Sequence, residues 1–223
     1  LSYRSYVWQN TSRGGLPKSF LENINFEKYV DMAINMPLLF IRKNNNYLRS
    51  GGKTFKDFME GKLSILNNEK PNIKDFEIHL ATIFTEIRLK QYIEIRSLDT
   101  CEWDCHCGGP AFFTGLIYGD LDEALEIINK WKISEVFNAY AEVPEKGLSS
   151  IINNKTLLEW GKIFLNLARK GLENRSIKNS SGKDESIFLR SVDSVLSNNK
   201  SKAMITIEKF KNKKNLEFLY EKT

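Results

Sequence analysis

From Thr85 to Ser97 the sequence reads TEIRLKQYIEIRS, and polar and apolar side chains alternate along it. Glu86, Arg88, Lys90, Tyr92, Glu94 and Arg96 take the even positions, and Ile87, Leu89, Gln91, Ile93 and Ile95 take the odd ones. A period of two marks a strand with one apolar face and one charged face. Beyond residue 108 that period gives way to helical spacing. GPAFFTGLIYG, DLDEALEIINKW, SEVFNAYAEV, NKTLLEWGKIFLNLARKG and two segments from Glu185 onward all read as helices. Strands mixed with helices first, and helices afterwards, predict an α+β fold.

Upstream of the strand, Phe26, Tyr29, Val30, Ala33 and Ile34 stand at helical spacing, and Pro37 closes that helix. LLFIRKNNNYLRSGG reads as a hairpin: Leu38 to Ile41 form one strand, the asparagines turn, and Tyr47 and Leu48 begin the return. Thr54 is placed to cap a short helix, with Asp57 in its first turn and Gly61 past its end. NIKDFEIHLATIF is a second amphipathic helix, and LENRSIKNSSGKDES is a polar break that predicts a mobile loop.

With 223 residues, 41% of them hydrophobic, the chain can bury a core in one domain, or in one domain with a small appendage. No apolar stretch approaches the roughly 20 residues of a membrane span, so no membrane partner is expected. The first residues lack a signal-peptide pattern and an initiator Met, so the chain is expected to start inside a longer protein. A reduced cytoplasmic protein is the default expectation. The net charge of +5 has much of its excess in the last helices. A basic patch of this kind can bind phosphates or nucleic acid, and a solvated lysine-rich helix is the ordinary alternative.

Three groups could carry chemistry. In CEWDCHCGGP, Cys101 and Cys105 have a metal-ligand spacing, whereas Cys107 is too close to Cys105 for a knuckle. Either His106 or the distant His79 would have to complete the set. The competing reading is three small, semi-buried thiols on a tight loop. On the alternating strand, Glu94 and Arg96 are two residues apart and share a face. A carboxylate there can hold Mg²⁺ through hard oxygen ligands, and a guanidinium can grip phosphoryl or carboxylate oxygens. Cross-strand ion pairs on a half-exposed strand are the structural alternative. Near the N-terminus, Arg4, Trp8 and Arg13 precede Gly14 and Gly15, which would permit close backbone approach to a ligand.

NFEKYVDMAINMPLLFIRKNNNYL, GGKTFKDFMEGKL, HLATIFTEIRLKQYIEIRSLD and PAFFTGLIY occur in this order, and together they resemble glutamate–cysteine ligase of the plant and proteobacterial type. The resemblance runs from about Tyr3 to Pro144. It implies the C-terminal half of a longer enzyme. Residues 1–144 would belong to a glutamine-synthetase-like catalytic domain, and residues 145–223 would be its helical extension. It further implies ATP- and Mg²⁺-dependent ligation of glutamate to cysteine through a γ-glutamyl phosphate, with no nucleic-acid partner. Another carboxylate–amine ligase, a non-catalytic basic binding module and a cysteine-based metal protein are the alternatives.

The resemblance maps a metal-ligand role onto Glu94 and a phosphate role onto Arg96. It makes Arg88 a substrate or nucleotide contact, and it sets Arg4, Trp8 and Arg13 near the substrates. The chain departs from the pattern in places. WQNTSRGGLP is shorter than its family counterpart and has no acid, Asn35 replaces an aspartate, and Thr85 replaces a proline. Ser50 and Ile65 stand where plant enzymes form a disulfide, so that redox link is expected to be absent. Trp103 and Cys107 match family residues, and Cys101, Cys105 and His106 do not, so no ligand role is assigned to the cysteines. The chain on its own is expected to lack ligase activity.

Overall fold

The computed structural model describes residues 1–99, 101, 103–215 and 217–219. They fall into two compact units: residues 5–98, and residues 1–4 together with the described residues from Asp99 onward. Helix and strand are mixed in the first and helices dominate the second, in keeping with the α+β expectation.

Helix α1 (Tyr3–Gln9) leads to β1 (Gly14–Gly15), which pairs in parallel with β4 (Phe84–Thr85). Helix α2 (Phe26–Asn35) starts where the Asn25 side chain accepts the Lys28 N–H, satisfying a donor that a helix start leaves open. The asparagine hairpin is β2 (Ile41–Lys43) with β3 (Asn46–Leu48). It begins at Ile41 rather than at Leu38. Asn44 and Asn45 turn it with φ of 49° and 61°, the left-handed pair that asparagine tolerates and tight hairpins require. Thr54 caps α3 (Phe55–Met59) in a reciprocal box with Asp57, and Asn72 and Asp75 do the same for α4 (Ile73–Ala81). Leu38, Ile41, Phe55, Phe58, Leu63 and Leu66 form the buried core between these elements.

The alternating segment is not one strand. It folds back at Lys90–Tyr92, where the Lys90 N–H donates to the Tyr92 carbonyl at 2.9 Å. The products are β5 (Ile87–Leu89) and β6 (Ile93–Ile95), antiparallel, with Arg88 opposite Glu94. Folding back sets a cation directly across from an acid, which an uninterrupted strand cannot do within itself. The charged face is the buried one: Arg88 is 7% exposed, while Ile87 and Ile93 are 44% and 69% exposed.

In the second unit, α5 (Gly108–Tyr118), α6 (Leu121–Ile128) and α7 (Ile133–Lys146) share cores with α8 (Leu157–Arg175) and α9 (Arg190–Asn198), and α10 (Lys202–Lys213) follows with no buried residue. Pro144 lies inside α7. A short hairpin absent from the sequence reading, β7 (Ile151–Ile152) with β8 (Lys155–Thr156), precedes α8. Helices α5 and α8 meet backbone to backbone: a Cβ on Gly115 would collide with the Ala168 carbonyl, and one on Gly171 with the Gly115 carbonyl. Only glycine allows that approach. The polar break is shorter than expected, because Leu172–Arg175 complete α8, and a bridge between Lys178 and Asp184 closes the turn that follows.

Cys101 and Cys105 form a disulfide, which corrects the expectation of reduced thiols, and Cys107 is free and exposed. The link spans a short turn that chain geometry can close. Among the described residues no group of three or more His, Cys, Asp or Glu could hold a metal ion.

Candidate active site

The β5–β6 register places Arg88 across from Glu94, and the planar guanidinium grips the carboxylate as a fork. Arg88 Nε donates to Glu94 Oε2 at 2.9 Å and Nη2 donates to Oε1 at 3.1 Å. Arg96, two residues beyond Glu94, donates from Nη1 to the same Oε1 at 3.1 Å. Lys90 Nζ stands 4.0 Å from Oε2. Burial pushes the Glu94 carboxyl up, but the Arg88 and Arg96 guanidiniums outweigh it and hold the group below the usual carboxylate range. Glu94 is therefore ionised at neutral pH.

The other end of Arg88 is tied to backbone. Its Nη1 donates to the Ala81 carbonyl at 2.6 Å and to the Ile83 carbonyl at 3.2 Å, just past the end of α4. The carbonyl between them, that of Thr82, accepts from Arg13 Nε at 3.0 Å and from Arg13 Nη2 at 2.7 Å. Two guanidiniums thus occupy three successive carbonyls at the negative pole of a helix. Burial lowers the Arg13 pKa to about 10, still well above neutrality. Beneath this turn His79 is bonded through Nε2 to the Ala33 carbonyl at 2.7 Å and stacks on Phe55. Burial chiefly, with Arg13 adding to it against the pull of that carbonyl, brings its pKa down to about 4.

Arg96 lies over the Phe84 ring at 5.6 Å, and Phe84 in turn stacks on Trp8 at 5.2 Å. Gly14 makes room for the indole, since a Cβ there would stand 2.6 Å from a Trp8 ring carbon. Trp8, Arg13, Arg88, Glu94 and Arg96 thereby gather into one continuous set within residues 5–98. Arg4 belongs to the residues that pack with the other unit. The sequence reading missed Phe84, Thr82 and Tyr29, whose hydroxyl accepts the Leu89 N–H at 3.0 Å. Phe84 follows the α4 pattern and carries no polar signature. Thr82 acts largely through its carbonyl, which any residue offers.

One ionised carboxylate among guanidiniums fits a single hard-oxygen contribution to a Mg²⁺ site and does not complete one. The same arrangement suits an anion with several oxygens, such as a phosphoryl group or a carboxylate.

An acid and two arginines on one hairpin form an arrangement chemically suited to anionic oxygens. The sequence model of glutamate-cysteine ligase family 2 (GCS2) matches residues 1–221. Glutamate–cysteine ligase, chloroplastic, of Arabidopsis thaliana is 38% identical over 201 residues, covering 88% of this chain and 37% of that protein. Ligase A, chloroplastic, of Oryza sativa subsp. indica is 37% identical over 202 residues, covering 88% and 40%. The Solanum lycopersicum ligase, also chloroplastic, is 37% identical over 183 residues, covering 80% and 35%. The chain belongs to glutamate–cysteine ligase family 2, and it spans well under half the length of these relatives.

Proposed function

We propose that this chain forms part of an enzyme that joins the γ-carboxylate of glutamate to the amine of cysteine at the expense of ATP, the first step of glutathione synthesis. Membership of the family supports the reading, and the Glu94–Arg96 pair is the observation that carries it to particular residues. A carboxylate is a poor electrophile. Its oxygen attacks the γ-phosphorus of ATP, ADP departs, and the resulting γ-glutamyl phosphate is an activated acyl group. The cysteine amine then attacks the acyl carbon, releasing phosphate and a proton.

Phosphoryl transfer asks for positioning and charge neutralisation. Arg96 is suited to both, being partly exposed and held in direction by Glu94 and the Phe84 ring. Mg²⁺, when bound, supplies further neutralisation of phosphate charge, and Glu94 would offer it one oxygen. Trp8 and Arg13 form the proposed substrate surroundings within residues 5–98. The two-stranded β5–β6 unit would be one piece of a larger antiparallel, glutamine-synthetase-like sheet, because a lone hairpin is only marginally stable. The chloroplast in the relatives' names speaks for those proteins; a cytoplasmic setting for this one stays a proposal.

Purified chain assayed for cysteine-dependent ADP release should give no turnover. In the complete ligase, Glu94→Gln should lower kcat by about 100-fold or more, the scale on which removing one electrostatic stabiliser acts. Full activity of that variant would reduce Glu94 to a structural acid.

A further inference from the structure

We propose that Arg88 is a positioning residue: it fixes the Glu94 carboxylate, and through it the direction of the Arg96 guanidinium, by anchoring both to the turn that ends α4. The proposal rests on the reading of Arg96 as the phosphate-facing arginine. It replaces the ligand contact that the family resemblance implies for Arg88 with an indirect role.

Three observations carry it. The first is the division of Arg88's donors. Nε and Nη2 go to Glu94, and Nη1 goes to the Ala81 and Ile83 carbonyls, so both ends of the guanidinium are held by the protein itself. The second is access. The Arg88 side chain is 8% exposed against 21% for Arg96, so Arg96 is the more open of the two to an incoming anion. The third is the shared atom. Glu94 Oε1 accepts from Arg88 Nη2 and from Arg96 Nη1, each at 3.1 Å. Turning the carboxylate would move the point on which Arg96 rests.

The chemistry of the residue explains why arginine stands here. Its planar fork can hold a carboxylate on one edge while a third nitrogen reaches backbone carbonyls, whereas a lysine ammonium is a single point. The backbone reinforces the arrangement: the Arg96 N–H donates to the Glu86 carbonyl at 2.8 Å, and the Glu86 N–H donates to the Gly15 carbonyl at 2.9 Å. The end of α4, the β1–β4 pair and the β5–β6 hairpin therefore meet at one guanidinium relay. Small displacements of a group that must face a transferring phosphoryl cost large factors in rate.

The test uses Arg88→Lys, Arg96→Gln and the double variant in the complete ligase, with a crystal structure of Arg88→Lys. Arg88→Lys should lower kcat about 10- to 100-fold while KM for ATP and glutamate stays within about 2-fold. Adding it to Arg96→Gln should cost nothing further, because the relay would have no terminal residue to aim. In the crystal, the Arg96 guanidinium should leave its present place on Glu94. An Arg96 that stays in place, a raised KM with kcat unchanged, or additive losses in the double variant would each overturn the proposal. If Arg88→Lys displaces Arg96 while Arg96→Gln keeps full turnover, the relay stands and the phosphate role of Arg96 fails. Should Arg88→Lys not fold, Glu94→Gln cuts the same relay one residue later and leaves Arg88 its two carbonyls.

Discussion

Two hairpins in the first unit begin alike. Both β2–β3 and β5–β6 have three cross-strand pairs, and both open with Ile-Arg, Ile41-Arg42 in one and Ile87-Arg88 in the other. In β2–β3 the isoleucine is buried and the arginine faces water, as a one-sided antiparallel sheet prescribes. In β5–β6 the order is inverted. Arg88 is inside, matched to Glu94 and to the carbonyls at the end of α4, while Ile87 and Ile93 are left at the surface. The first hairpin contributes a core; the second buries charge and bears the candidate site. Burying a guanidinium is costly unless every donor finds a partner, so the second arrangement holds only while its acid and carbonyls stay in place.

The contrast can be broken in order of size. Arg88→Ala should destabilise the chain by about 3–5 kcal/mol in denaturant unfolding, as removing one partner of a buried pair does. Arg42→Ala, on the exposed face of the other hairpin, should stay within about 0.5 kcal/mol. For the isoleucines the ranking reverses. Ile41→Ala should cost about 2–5 kcal/mol, the range for deleting a buried aliphatic side chain. Ile93→Thr, 69% exposed, should change stability by less than about 0.5 kcal/mol in this chain. In the complete ligase that second substitution should cost more if the hairpin joins a larger sheet.

Acid separates the two regions without mutation. His79 lies against Phe55 in the core beneath β2–β3, and its folded pKa of about 4 is below the ordinary 6.5. Its neutral form is favoured by folding, so that stability is complete above 6.5 and declines as pH falls from 6.5 towards 4. Glu94's folded pKa is also depressed, below the ordinary 4.5, so its contribution is whole above 4.5 and is lost only at lower pH. Unfolding titrations should show two windows. His79→Gln should abolish the upper one, and Glu94→Gln should shrink the lower, to which Asp57, Asp120, Glu159 and Asp184 also contribute. A single unchanged window in both variants would mean that the hairpins do not differ in this way.

Much of this fold could be read ahead of the structure, and the reasons it stops are physical. Thr54 and the asparagine turn at Asn44–Asn45 announced themselves because capping and left-handed backbone select residue types locally. The alternation in residues 85–97 revealed two faces but not which one turns inward, since that depends on distant acceptors. Arg88's acceptors at Ala81 and Ile83 are backbone carbonyls, which leave no trace in residue identity. Glu94 and Arg96 were legible as a pair through their spacing and the family resemblance. Arg13 was legible as a cation and, through the resemblance, as a residue near the substrates; its engagement with Thr82 needed the fold. The Cys101–Cys105 link was invisible to spacing because the path of the intervening loop decides whether two sulfurs meet.

That link has a practical bearing on the bench. Cysteine, the amine proposed to be consumed, is itself a thiol, and thiolates attack disulfides. Every turnover mixture would thus contain a reagent for the Cys101–Cys105 bond, with the exposed Cys107 two residues away as a competing nucleophile. Replacing cysteine by an amine acceptor without sulfur, such as 2-aminobutyrate, would keep the acyl chemistry while leaving the redox state of the loop undisturbed.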